Sequence, residues 1–115
     1  MTQAFSAEMK IEVKLNPKWK AVEGLLVDVM QIAARNVERM AKEIVPVDTG
    51  ATRNSIEARE ADDAGLAWSI GPTTSYAPFL EFGTVYMEAR PFLIPSAEKE
   101  QPKIIEAVKK ITDGL

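Results

Sequence analysis

The sequence predicts an α+β domain: a small antiparallel sheet packed against a long N-terminal helix and a C-terminal helix, with a short helix between them. Three patterns carry this expectation. Between Trp19 and Ile44 the apolar residues recur in steps of three and four over about seven turns, the period of a helix with one buried stripe. Two alternating runs, at Ile56 and Ala58 and at Leu66, Trp68 and Ile70, flank the turn residues Asp62, Asp63 and Gly65, as in a β-hairpin with one apolar face. Near the end, Ile104, Val108, Ile111 and Leu115 again share a helical face. A chain of 115 residues suits one domain, residues 1–115, with a single modest core.

The elements follow in order. Ile11, Val13 and Leu15 alternate with Glu12 and Lys14, a short half-buried strand. Asn16 and Pro17 read as helix cap and first helical residue. The main seam of the long helix is Val22, Leu26, Val29, Ala33, Val37, Met40 and Ile44, and Glu38 and Lys42 form an oriented pair on the polar side. Pro46 stops this helix, because the residue before a proline avoids helical angles. Leu25, Val27, Met30, Ile32 and Ala34 lie outside the seam. Either the helix is tucked deep in its own domain, or it is covered on two sides, by its own sheet and by another subunit. The first strand of the hairpin is polar and suits a sheet edge. In "SYAPFLEFG", Ser75 caps a short helix, Pro78 lies in its first turn and Gly83 terminates it. Tyr76, Phe79 and Phe82, three apart, are expected to pack a core edge. "TVYMEAR" reads as an extended segment joining the sheet. From Pro95 onward the pattern is helical, with Pro102 starting or kinking the main part.

Composition narrows the chemistry. Lys and Arg total 14 against 17 Asp and Glu, so the basic surplus of a dedicated nucleic-acid binder is missing. No apolar run approaches membrane-spanning length. "MTQAFSAEMK" does not read as a signal peptide. With no Cys and no His, disulfides, Ser-His-Asp or Cys-His catalysis and the usual zinc sites are excluded, and synthesis in a reducing cytoplasm fits. No cofactor is expected.

"VPVDTGAT" contains the Asp-Thr-Gly triplet of retroviral-type aspartic proteases, at Asp48, Thr49 and Gly50. That chemistry needs two such aspartates sharing a proton across a dimer axis, each at the end of a buried strand. Here the triplet follows a long helix and Val45-Pro46-Val47, and proline is a poor member of an interior strand. The better reading is a corner. Asp48 or Thr49 caps a short helical turn over residues 50–54, and the chain then enters the hairpin.

Three stretches in order, "VPVDTGATRNSI", "YAPFLEFGT" and "ARPFLIPSAEK", are together similar to the signatures of a family of small neck proteins of long-tailed bacteriophages, the tail-completion or head–tail joining proteins. The resemblance spans residues 37–108 and rests on Asp48, Thr49, Gly50, Arg53, Ser55, Tyr76, Glu81, Phe82, Gly83, Thr84, Arg90, Pro91 and Phe92. The family usually carries leucine where this chain has Thr52, a position that would be an apolar anchor. The resemblance implies a structural virion protein without catalytic residues. It implies a ring, hexameric in the family, that joins head to tail by contacting adjacent neck and tail proteins after synthesis in the host cytoplasm. A tail-terminator-like ring and the homodimeric protease are the alternatives. Leu25, Val27, Met30 and Ile32 are the candidate subunit contact. Glu81, a carboxylate among apolar neighbours, requires a cation or backbone donors, and Arg53 and Arg90 are the candidate cations.

Overall fold

The computed structural model describes residues 8–46, 50–73, 77–86 and 88–115, without the side chain of Phe79. The calls on Asp48, Thr49, Ser75 and Tyr76 therefore lie outside the described residues.

The first element among the described residues is strand β1 (Met9–Glu12). Asn16 then accepts from the Lys18 N–H at 3.0 Å and, with Pro17 behind it, starts a 3-10 turn over Pro17–Val22. This turn runs directly into helix α1 (Glu23–Ile44). Before Pro46, Val45 turns out to ψ 139°, and the helix ends where the proline requires. Helix α2 (Gly50–Ser55) forms the corner into the hairpin of β2 (Glu57–Glu60) and β3 (Ala67–Gly71). Helix α3 (Ala77–Phe82) and helix α4 (Leu93–Thr112) complete the chain.

The sheet is antiparallel with order β1-β3-β2, so the polar hairpin strand is at an edge as expected. Register aligns Met9, Ile70 and Ala58 in one row, and Ile11, Trp68 and Glu60 in the next. Both rows point to α1, where Met30, Ala34, Val37 and Ala41 meet Ala58, Trp68 and Ile70 in one buried cluster. Three of these helix residues are Ala or Val, and their small size allows close helix–sheet approach. The opposite sheet face carries the pairs Lys10–Glu12 at 3.9 Å and Glu57–Arg59 at 3.5 Å.

The buried stripe of α1 is rotated from the expected seam. Leu26, Met30, Ala33, Ala34, Val37 and Ala41 are buried, whereas Ile44 is exposed. The cause is that α1 is covered from two directions within its own domain, by β3 and by α4. Its flank also holds the sheet edge: Glu38 accepts from the Ala58 N–H of β2 at 3.3 Å and from Arg35 at 3.1 Å, and forms an ion pair with Lys42 at 3.6 Å. The hairpin turn is closed by Asp62, which accepts from the Gly65 and Leu66 N–H groups at 2.8 and 3.1 Å. Gly65 has φ 82°, and a Cβ there would meet Val27 at 3.0 Å. Both the backbone angle and the packing on α1 thus call for glycine.

Two expectations are corrected. Residues 84–90 contribute no strand among the described residues; the N–H of Arg90 instead donates to Leu80 O at 2.7 Å, folding the segment back onto α3. Helix α4 begins at Leu93 rather than Pro95 and contains Pro102 in its interior.

A buried knot and an exposed tip

Helix α4 has no cap from its own neighbourhood, since Phe92 occupies the cap position and has no side-chain acceptor. The acceptor comes from α3. Glu81, 3% exposed, takes the N–H of Phe92 at 3.0 Å and of Leu93 at 2.9 Å on Oε1, and that of Ile94 at 3.2 Å on Oε2. The next residue, Pro95, has no N–H to satisfy. A carboxylate at a helix N-terminus also meets the favourable end of the helix dipole. Among the described residues Glu81 makes no ion pair. The expected fork with Arg53 or Arg90 is replaced by backbone donors, which meet the same physical demand of a buried charge.

Around this bond set the motif residues converge. Gly83 ends α3 with φ 76°, the left-handed angle expected of a terminator. Phe92 is fully buried, and Ser96 donates to Phe92 O at 2.6 Å. Ala77, Pro78 and Leu80 form the buried side of α3. Phe82 is 55% exposed and does not pack the core edge as expected, because Leu80 and Glu81 take the inward positions. At the other corner Thr52 is fully buried, so the anchor position is filled by the smaller side chain. Ser55 donates to Thr52 O at 2.9 Å and accepts from the Thr73 N–H at 3.0 Å, tying α2 to the segment after β3. Gly50 and Arg53 are exposed on α2.

Glu81 and the Arg90–Leu80 bond tie the two sides of the α3–α4 connection to each other. Its described tip is apolar and exposed: Val85 is 95% and Tyr86 98% exposed. Thr84, itself exposed, accepts from the Tyr86 N–H at 3.1 Å and shapes the turn. Pro91 is exposed beside the helix start. Neither Val85 nor Tyr86 packs on the core described above.

Of the candidate contact residues on α1, Met30 is in the core, at 1% exposure, and Val27 packs on the hairpin turn. Leu25 and Ile32, seven apart and so on one face, are 54% and 63% exposed. Beside Ile32, α1 and α4 form a shallow cleft in which Asn36 donates to Glu100 at 3.4 Å. Glu100 is buried and had a legible signal: it lies four residues before Ile104 on the apolar face of α4. The remote cap had one too, in a helix start without a capping residue and a buried Glu without a local partner.

Replacing Gly83 with valine forces a β-branched residue to positive φ. Gly83→Val is expected to lower stability by more than about 1 kcal/mol. Denaturant midpoints of the purified proteins measure this, and an unchanged midpoint would remove the terminator role.

Among the described residues no cluster of acidic, His or Cys side chains has the arrangement to hold a metal ion. The model of the HK97-gp10-like family of bacteriophage tail components matches residues 17–83, more than half of the chain, from the start of the 3-10 turn through Gly83. No curated protein and no solved structure matches.

Proposed function

Since the chain belongs to the HK97-gp10-like family of bacteriophage tail components, we propose that it is a ring-forming protein of the phage neck, joining the DNA-filled head to the tail. Family membership makes it a structural tail or neck component rather than an enzyme. The finer reading adds assembly: copies of the chain, six by family resemblance, contact one another around the tail axis and contact adjacent neck and tail proteins above and below. It is made in the host cytoplasm and docks there.

The observation that best supports this reading is the exposed Val85–Tyr86 tip on its buried base. A monomer gains nothing from two solvated apolar side chains, whereas an assembly protein uses them as contact area. The open face at Leu25 and Ile32 supplies a second surface. Head-to-tail contacts between identical subunits close into a ring when their rotation closes.

Deletion of the gene tests the function. The expected lysate contains filled heads and finished tails that do not join, seen by electron microscopy, with infectious titre lost and restored by the gene in trans. Intact virions from the deletion strain would refute the neck function.

A further inference from the structure

The cleft between α1 and α4 holds a carboxylate oxygen without a donor. Glu100, 3% exposed, takes one long bond from Asn36 on Oε1, and its Oε2 is buried with no hydrogen-bond partner among the described residues. A buried carboxylate left half-satisfied is costly, and a cationic donor offsets that cost best. Lys103, one turn on, lines the same cleft, but its side chain is exposed and makes no ion pair among the described residues. The apolar part of the lining comes from residues such as Val29, Ile32, Ile104 and Ala107. The space is about 250 Å3, below the roughly 300–1,000 Å3 of small-molecule sites. Its fitting occupant is therefore a single long side chain with an apolar stem and a cationic head. Arginine meets both demands, and its fork matches a carboxylate.

The same chain carries such an arginine, on the other side of the exposed face of α1. There Arg35, Arg39, Lys42 and Arg53 gather around Glu38 and Glu43. Arg35 and Lys42 pair with Glu38, and Arg39 pairs with Glu43. Arg53, exposed on α2, is the cation of this group left without an ion pair among the described residues. One side of the exposed face thus has a surplus donor and the other a surplus acceptor, a complementary pair of surfaces on one molecule. We propose that Arg53 of one copy enters the α1–α4 cleft of the next copy and donates to Glu100 Oε2. The contact is heterologous, and every subunit has one surface of each kind, which is what a closed ring requires. This deepens the ring reading given above and rests on it.

The absence of cysteine allows a direct test. Asn54→Cys, beside Arg53, and Ala107→Cys, in the cleft wall, are small changes at an exposed and a half-buried position, so both variants should fold. Virions are grown with the two variants co-expressed and with each alone, then treated with a short bismaleimide linker. The expected result is a dimer band from the mixture only, lost when Arg53→Ala or Glu100→Gln is added to both chains. Glu100→Gln keeps the acceptor for Asn36 and sets an amide donor against the guanidinium. Arg53→Ala changes an exposed side chain, so it keeps the test decisive where Glu100→Gln fails to fold. Lys103→Ala should leave the denaturant midpoint of the free subunit unchanged. Any of these results would overturn the contact: no dimer from the mixture beyond that of the single variants, a link to a different virion protein instead, a dimer that survives Arg53→Ala, or a midpoint lowered by Lys103→Ala, which would assign Glu100 to Lys103 within the chain. The two readings fail separately. If the protein is absent from virions, the neck reading falls, and the contact is judged on the concentrated purified mixture, where a dimer lost with Arg53→Ala supports it and monomer alone refutes it.

Discussion

Glu81→Ala is expected to destabilise the protein by at least about 3 kcal/mol, a large share of the roughly 5–15 kcal/mol that holds a domain of this kind together. Three N–H groups lose their acceptor, and two of them, on Phe92 and Leu93, are in buried hydrogen bonds that water does not readily replace. Each unsatisfied buried donor costs about 1–3 kcal/mol. The damage is local at first: the start of α4 frays, Phe92 loosens, and the base of the Val85–Tyr86 loop goes with it. Glu81→Gln is milder. Its carbonyl oxygen keeps the acceptor for Phe92 and Leu93, while its amide nitrogen faces the Ile94 N–H, donor against donor. Denaturant midpoints should rank wild type, Gln, Ala, and hydrogen exchange should accelerate first at residues 92–94. Combining Glu81→Ala with Arg90→Ala should be additive, because Arg90 enters this knot through its backbone N–H. Coupling between the two side chains, or an Ala variant as stable as wild type, would contradict the cap.

That cap also marks the boundary of what was legible. Elements whose signals are local were read correctly: the Asn16–Pro17 start, the Pro46 stop, the Asp-Gly hairpin turn, the Gly83 terminator. Each depends on the backbone preferences of one or two residues. What failed depended on partners distant in sequence. Helix α4 starts two residues before the expected Pro95 because its cap is eleven to thirteen residues upstream, on another helix. The buried stripe of α1 departs from the expected seam because periodicity reports that a face is buried without reporting how many elements cover it, and here β3 and α4 share the task. Segment 84–90 has strand composition but no strand among its described residues, and the Arg90 N–H bonds to Leu80 O of α3 instead of to a sheet. For the motif residues, chemistry was foreseeable and geometry was not: Glu81 needed donors, and whether they were guanidinium or backbone depended on the fold.

The second large effect separates folding from assembly on a single helix. Met30→Asp and Ile32→Asp place the same charge two residues apart on α1, at 1% and 63% exposure. Met30 touches the core cluster, so its replacement buries a carboxylate without a partner, and a loss of more than about 4 kcal/mol is expected. Met30→Asp should give little folded protein and a flattened thermal transition by circular dichroism. Ile32→Asp changes an exposed position, where stability shifts stay within about 0.5 kcal/mol, so its dichroism and denaturant midpoint should match wild type. Its effect belongs to the assembled particle. If the Leu25–Ile32 face is a contact, an unpaired charge desolvated there costs about 3–5 kcal/mol per interface, and every 1.4 kcal/mol is a tenfold loss of association. Repeated around a ring, this should abolish joined virions and leave heads and tails side by side in the lysate, with Leu25→Asp behaving alike. The pair is informative because its members fail differently: Met30→Asp lowers the amount of folded subunit, Ile32→Asp leaves the amount intact and removes its use. A folded Ile32→Asp protein that still yields infectious virions at wild-type titre would show that this face stays in solvent, leaving the Val85–Tyr86 tip as the surface on which assembly depends.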